Sequence, residues 1–116
     1  MCSSDLVDKH YSSQDCVLYR DMFDILGRDD IDTVLIATGD RWHTMASITA
    51  ARAGKDIYCE KPVSMTIQES RALADVINLY GRIYQAGTQR RSIGNFMLAI
   101  EMAQSGKLGQ GRKSGV

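Results

Sequence analysis

The sequence predicts an α/β fold, a doubly wound parallel sheet, on three observations. Short apolar, β-branched runs alternate with helical patterns along most of the chain. Helices placed between buried strands indicate a parallel sheet, because each crossover must return the chain to the same end. The connections are short, so no internal domain boundary is expected.

The elements follow in order. Val17-Leu18-Tyr19 is expected to be a weak strand, and Asp21 stands where it would cap a short helix over Met22, Phe23, Ile25 and Leu26. Asp29-Asp30 is turn chemistry ahead of residues 33–37, Thr-Val-Leu-Ile-Ala. That unbroken apolar run suits a strand covered on both faces. Residues 42–53 read as a helix, with Met45, Ile48 and Thr49 at helical spacing and Gly54 in the place of a C-terminal cap. Residues 56–59, Asp-Ile-Tyr-Cys, form a second short strand.

Thr66-Ile-Gln-Glu69 is a capping box, Thr66 at the N-cap and Glu69 three residues on. It opens a helix running to Tyr80, with Ile67, Leu73, Ala74, Ile77 and Tyr80 on one face and Gly81 as its stop. Residues 83–86, Ile-Tyr-Gln-Ala, make the next strand, and Gly87-Thr-Gln-Arg-Arg-Ser92 is a polar loop. A last helix covers residues 93–105, with Ile93, Phe96, Met97 and Ile100 inward and Gly106 as its stop. The predicted order is β-α-β-α-β-α-β-α.

Bulk properties narrow the function. The 116 residues make one domain or part of one. Fourteen basic and fourteen acidic residues cancel, which leaves no electrostatic footprint for nucleic acid or an anionic membrane. No apolar run approaches the roughly 20 residues that span a bilayer, and the N-terminus lacks the apolar core of a signal peptide. Cys2, Cys16 and Cys59 are an odd, sparse set without CxxC spacing, neither a disulfide framework nor a zinc site. Cys59 ends an apolar stretch and reads as a small buried hydrophobe rather than a nucleophile.

Ligands of such sheets sit beyond the carboxyl ends of the strands. Three loops leave those ends: 38–42, 60–64 and 87–92, all polar or charged. In Glu60-Lys61-Pro62 the proline fixes φ and directs the chain, so the lysine is held near a strand end. There it can bond a substrate hydroxyl or a cofactor ribose and take part in proton transfer, or it can be half of a solvated ion pair on a surface turn. In the 37–43 segment, Thr38 and Gly39 bring backbone close to a ligand, Trp42 offers a flat face, and His43 sits on a first helical turn that favours an anion. The same residues also read as a helix capped by Asp40, with Trp42 packed and His43 a satisfied surface side chain. No second histidine or carboxylate stands at metal-ligand spacing, so no metal is expected. Arg90 and Arg91 either clamp a carboxylate or phosphate, or are solvated.

The 106–114 stretch imitates a phosphate loop, but Arg112 separates Gly111 from Lys113 and no strand precedes it. No GxGxxG follows any strand either, so the first β-α-β unit, which carries the dinucleotide fingerprint, is missing from the expected sheet.

Three segments, in order and spacing, resemble the Gfo/Idh/MocA oxidoreductases: Asp32-Thr-Val-Leu-Ile-Ala-Thr-Gly-Asp-Arg-Trp-His43, Ala53-Gly-Lys-Asp-Ile-Tyr-Cys-Glu-Lys-Pro62 and Gly81-Arg-Ile-Tyr-Gln-Ala-Gly-Thr-Gln-Arg-Arg91. The resemblance covers residues 15 to 110. It implies a partial Rossmann-like, dinucleotide-binding domain over residues 15–109, between an N-terminus (1–14) that is poorly ordered or artefactual and a tail (110–116). It implies NAD or NADP as cofactor and hydride transfer to or from a sugar, polyol or related small molecule, with the parent protein a homo-oligomer. Ala37, Thr38, Asp40, Trp42 and His43 would line the cofactor. Glu60 and Lys61 would sit beside the nicotinamide ribose, Lys61 also reaching the substrate as the catalytic group, and Gln89 and Arg90 would border the nicotinamide end. Gly39 stands where many members have proline, which should loosen that loop.

By the same resemblance, the acidic residue that reads the adenosine ribose and the partner Asp and His acid/base groups would lie outside these residues. Met1-Cys-Ser-Ser-Asp-Leu6 matches the translation of a common sequencing-adapter end, which is why the N-terminus is expected to be artefactual. The chain by itself is expected to be inactive. Its compartment stays open, cytoplasmic by default, with export not excluded. A non-catalytic nucleotide-binding or interaction module is the competing reading. A flavodoxin-like receiver is a weaker one, since it would place acidic groups where Lys61, Arg90 and Arg91 stand.

Overall fold

In the computed structural model, which describes residues 3–109, three short parallel strands form the sheet: β1 (Thr33–Ile36), β2 (Asp56–Glu60) and β3 (Tyr84–Gly87), in that spatial order. Five helices accompany them: α1 (Ser3–Tyr11), α2 (Met22–Leu26), α3 (Asp40–Arg52), α4 (Ile67–Tyr80) and α5 (Gly94–Gln104), with a 3-10 turn at Gln89–Ser92. The α/β class holds, as a partial Rossmann-like sheet. The expected tail, 110–116, lies outside the described residues.

Local chemistry sets most element ends. Asp21 accepts from Phe23 N–H at 2.9 Å and caps α2. Thr66 Oγ1 accepts from Glu69 N–H at 3.1 Å while Glu69 returns a bond to Thr66 N–H at 3.0 Å, a complete capping box on α4. Gly81 closes α4 at φ 60°, a conformation a side chain would resist.

The register aligns Val34 with Ile57 and Tyr84, and Ile36 with Cys59 and Ala86. Side chains alternate along a strand, so these two rows share one sheet face. Leu26 of α2 and Ala50 and Ala51 of α3 join Ile36, Ile57 and Cys59 in the core, with Val76 and Ile77 of α4 packed against it. Cys59 is fully buried, the small hydrophobe its setting implied.

Several expectations change. Val17-Leu18-Tyr19 is not a strand; among the described residues no strand pairs with it, and all three residues are exposed. The sheet therefore has three strands rather than four. Strand β1 is covered on one face only: Leu35, on the other, is 70% exposed, because the helices that reach the core lie on the Ile36 side. The buried face of α3 is His43, Thr44, Ser47, Ala50 and Ala51, not the Met45–Ile48–Thr49 stripe, since small side chains let the helix approach the sheet closely. On α4, Leu73 is buried but Ile67 and Tyr80 are exposed.

In α5, Ile93 at its cap, Phe96, Met97 and Ile100 are exposed rather than inward, because no described element other than the adjoining 3-10 turn lies closely against this apolar helix. Helix α1 was not anticipated; Leu6 and Tyr11 on it are exposed. The 19.3 Å radius of gyration exceeds the roughly 13 Å of a compact 100-residue domain, in keeping with these uncovered ends.

At the amino ends of the strands, Lys55 is buried and its Nζ donates to the Arg28 carbonyl at 2.6 Å. Arg82 Nη1 donates to the Gly54 carbonyl at 2.8 Å, and Ile83 N–H to Asp56 Oδ1 at 2.9 Å. The Ala53-Gly-Lys half of the Ala53–Pro62 segment is thus an anchor at the floor of β2. Glu60-Lys61-Pro62 occupies the opposite end.

Candidate cofactor-binding edge

The strands end side by side at Ile36, Glu60 and Gly87, so the three polar loops leave from one edge of the sheet. Ala37, Thr38, Asp40 and Trp42 are exposed there, Trp42 by 52%. Gly39 is the N-cap of α3, with no side-chain cap bond, and Asp40 is the first helical residue rather than the cap. The first-turn N–H groups of α3 therefore face the edge without a side-chain acceptor, the arrangement that receives an anionic ligand group.

His43 departs from its expected place. Its side chain is 1% exposed, with Nδ1 2.5 Å from the Pro62 carbonyl oxygen and Nε2 3.0 Å from the Thr38 carbonyl oxygen. It is thus a strut between two loops and presents no surface that could line a cofactor. Carbonyl oxygens only accept, so the ring donates to at least one of them, and to both when it carries two protons. A ring taken out of water this completely needs such partners.

Lys61 is exposed, and among the described residues its ammonium has no hydrogen-bond or ion-pair partner. The Lys61–Pro62 peptide is cis. The backbone that follows is pinned from several sides. Thr44 Oγ1 donates to the Val63 carbonyl at 3.0 Å, Glu69 Oε2 accepts from Met65 N–H at 2.9 Å, and the Ser64 and Ser70 hydroxyls are hydrogen-bonded to each other. An exposed ammonium thus stands on a fixed base.

Glu60 is half-buried beside Gly87, its register partner on β3. A Cβ at residue 87 would stand 2.9 Å from Glu60 Oε2 and 3.1 Å from both its Cα and Cδ, so glycine is what lets this carboxylate lie against the strand end. Gln89 Nε2 donates to the same Oε2 at 3.4 Å, a long bond. The Arg90 guanidinium lies 5.5 Å from the centre of the Phe96 ring, a cation–π contact on the exposed 3-10 turn.

Of the expected site residues, the structure joins Glu60 to Gln89, and His43 to the Thr38 backbone. It brings Ala37, Thr38, Asp40, Trp42, Lys61 and Arg90 to the same edge, and among the described residues no side-chain hydrogen bond or ion pair joins them to one another. Sequence reasoning missed Thr44 and Gly87. A glycine ending a strand does signal close approach of another group, but the group concerned, Glu60, is remote in sequence. Among the described residues no cluster of three or more His, Cys, Asp or Glu converges to hold a metal ion, and no helix is long and apolar enough to cross a membrane.

Residues 5–88 match the GFO_IDH_MocA family model, an oxidoreductase family with an NAD-binding Rossmann fold. The match begins inside the N-terminal segment that was expected to be artefactual. The chain is similar to inositol 2-dehydrogenase of Klebsiella pneumoniae subsp. pneumoniae, 29% identical over 93 residues that make up 79% of this chain and 28% of that protein. It is also similar to scyllo-inositol 2-dehydrogenase (NAD(+)) of Bacillus subtilis, 32% identical over 91 residues, 78% of this chain and 27% of that protein. The crystal structure of an NAD-binding protein from Listeria innocua superposes with a TM-score of 0.76 at 28% identity, covering 90% of this chain and 30% of that one. The chain thus spans well under a third of the length of the curated relatives it matches.

Proposed function

Because the chain belongs to the Gfo/Idh/MocA oxidoreductase family, we propose that it forms the part of an NAD(P)-dependent oxidoreductase that holds the nicotinamide ribose and presents Lys61 to a sugar, polyol or related substrate. The observation that carries this reading is the exposed Lys61 ammonium on a pinned loop, beside Glu60 and on the same edge as Thr38 and Gln89. A carboxylate, an amide and an ammonium at one strand end are the donor and acceptor set that ribose and polyol hydroxyls require. The uncapped first turn of α3 suits a phosphate, and the Trp42 face suits a planar ring. These groups fit one end of a dinucleotide, while the glycine-rich loop that would cradle its pyrophosphate is absent from the 116 residues.

A bound nicotinamide supplies the hydride acceptor. Glu60 and Gln89 would accept and donate to the ribose hydroxyls. Lys61 would hold the reacting hydroxyl by donating to its oxygen, which orients the carbon and steadies charge on that oxygen as its proton leaves. A polyol substrate accords with the inositol named for two of the relatives.

The test is turnover of the full-length enzyme carrying this segment, with NAD and NADP, on a panel of inositols and sugars. Lys61→Ala should lower kcat by about 10²-fold or more, the usual worth of a donor that steadies charge on the reacting oxygen. Unchanged turnover in that variant would remove Lys61 from the reaction.

A further inference from the structure

We propose that His43 is a positioning residue that ties the Thr38 loop to the Lys61–Pro62 loop, so that the cofactor-side backbone and the lysine keep one spacing. The proposal rests on the reading above, in which those two loops hold cofactor and substrate. The ring reaches one carbonyl five residues back in the chain and another nineteen residues on. Each belongs to a loop that leaves the end of a different strand, and ladder hydrogen bonds no longer connect the chain beyond those ends.

The two loops are not equally held. The segment after Pro62 has Thr44, Glu69 and Ser70 to fix it. The Thr38 side has a glycine N-cap without a side-chain bond, and only the α3 first-turn bond from Trp42 N–H to the Gly39 carbonyl at 2.8 Å closes it. His43 transfers the rigidity of the first loop to the second. A hydrophobic ring of similar size would fill the same space but carries no N–H to donate, so it would hold neither carbonyl.

Amide hydrogen exchange in the 116-residue chain separates the two roles. Trp42 N–H reports the Thr38 side. Met65 N–H, bonded to Glu69 Oε2 at 2.9 Å, reports the Lys61 side. Ile57 N–H, bonded to the Ile83 carbonyl at 2.9 Å, reports the sheet. His43→Phe should speed exchange at Trp42 about tenfold and leave Ile57, and Met65, which Glu69 holds independently of the ring, within about twofold. His43→Gln carries one donor nitrogen and cannot reach carbonyls on opposite sides of the ring, so it should also release Trp42 with Met65 and Ile57 unchanged.

Unchanged Trp42 in His43→Phe, or equal acceleration of all three amides, overturns the proposal. If His43→Phe does not fold, the Gln variant decides on the same criterion; loss of fold in both variants also overturns it, since the ring would then serve the core alone. Turnover of the full-length enzyme carrying Lys61→Ala reads the functional assignment independently. Unchanged turnover there defeats that assignment without touching the exchange result, and a failed exchange result with turnover lost in Lys61→Ala defeats the strut alone.

Discussion

Replacing Gly87 with alanine tests the packing at the centre of the candidate edge. The residue is part of β3 and its backbone is not left-handed, so the substitution brings no conformational penalty of its own. The added Cβ would meet Glu60 Oε2 at 2.9 Å and Glu60 Cδ and Cα at 3.1 Å each. The carboxylate can swing away, since Glu60 is half-buried. The Cα cannot, because β2 is held in register on both sides. The expected cost is that of a modest overpacking, about 1–3 kcal/mol, or roughly 5–15 °C in the midpoint of a domain this size.

Urea unfolding of the chain followed by circular dichroism measures this, provided the slope is unchanged. A second background isolates the cause. Glu60→Ala removes the two side-chain contacts but leaves the 3.1 Å contact with the Glu60 Cα, so Gly87→Ala should cost nearly as much there. A cost that falls by more than half in that background would refute the argument that the fixed Glu60 Cα is what excludes a Cβ at residue 87.

Other consequences are simpler to check. Thr66→Ala breaks the capping box and should cost about 1 kcal/mol in the same unfolding assay, and Leu73→Ala, the buried residue of α4, about 2–5 kcal/mol. Burial pushes the Tyr84 hydroxyl above its ordinary 10.0. The folded chain then keeps that proton to higher pH than the unfolded one, so the associated stability is fully present below pH 10.0 and is lost as pH rises through the folded value. Tyr84→Phe should flatten this alkaline fall in the urea midpoint, and at neutral pH it should be no less stable, because the wild-type hydroxyl is buried with no partner among the described residues. The 116-residue chain alone should bind NAD weakly or not at all and show no turnover; tight binding by isothermal titration would refute this.

Much of the fold was legible because its signals are local. Asp21, the Thr66–Glu69 box and Gly81 act on backbone groups within a few residues, and a chain carrying them has its helix ends set before any packing. The apolar runs at β1, β2 and β3 were likewise legible, as was the edge on which Thr38, Glu60, Lys61 and Gln89 stand, since parallel strands joined by helices must end together. Periodicity was a poorer guide wherever a partner surface was required. The Met45–Ile48–Thr49 stripe and the apolar face of α5 look like core in the sequence, yet burial needs something opposite, and the small residues of α3 win because they approach the sheet most closely.

By itself the sequence determined the α/β class, the caps of α2 and α4, the family, and which side chains collect at the carboxyl ends of the strands. Only the tertiary structure decided how those side chains are used. His43 turns inward because carbonyls from two loops converge on it, and Glu60 lies across Gly87 because β2 and β3 pair in that register. Gln89 reaches Glu60 across 29 residues of chain. Such contacts depend on distances set by the assembled sheet, which no local pattern of residues encodes.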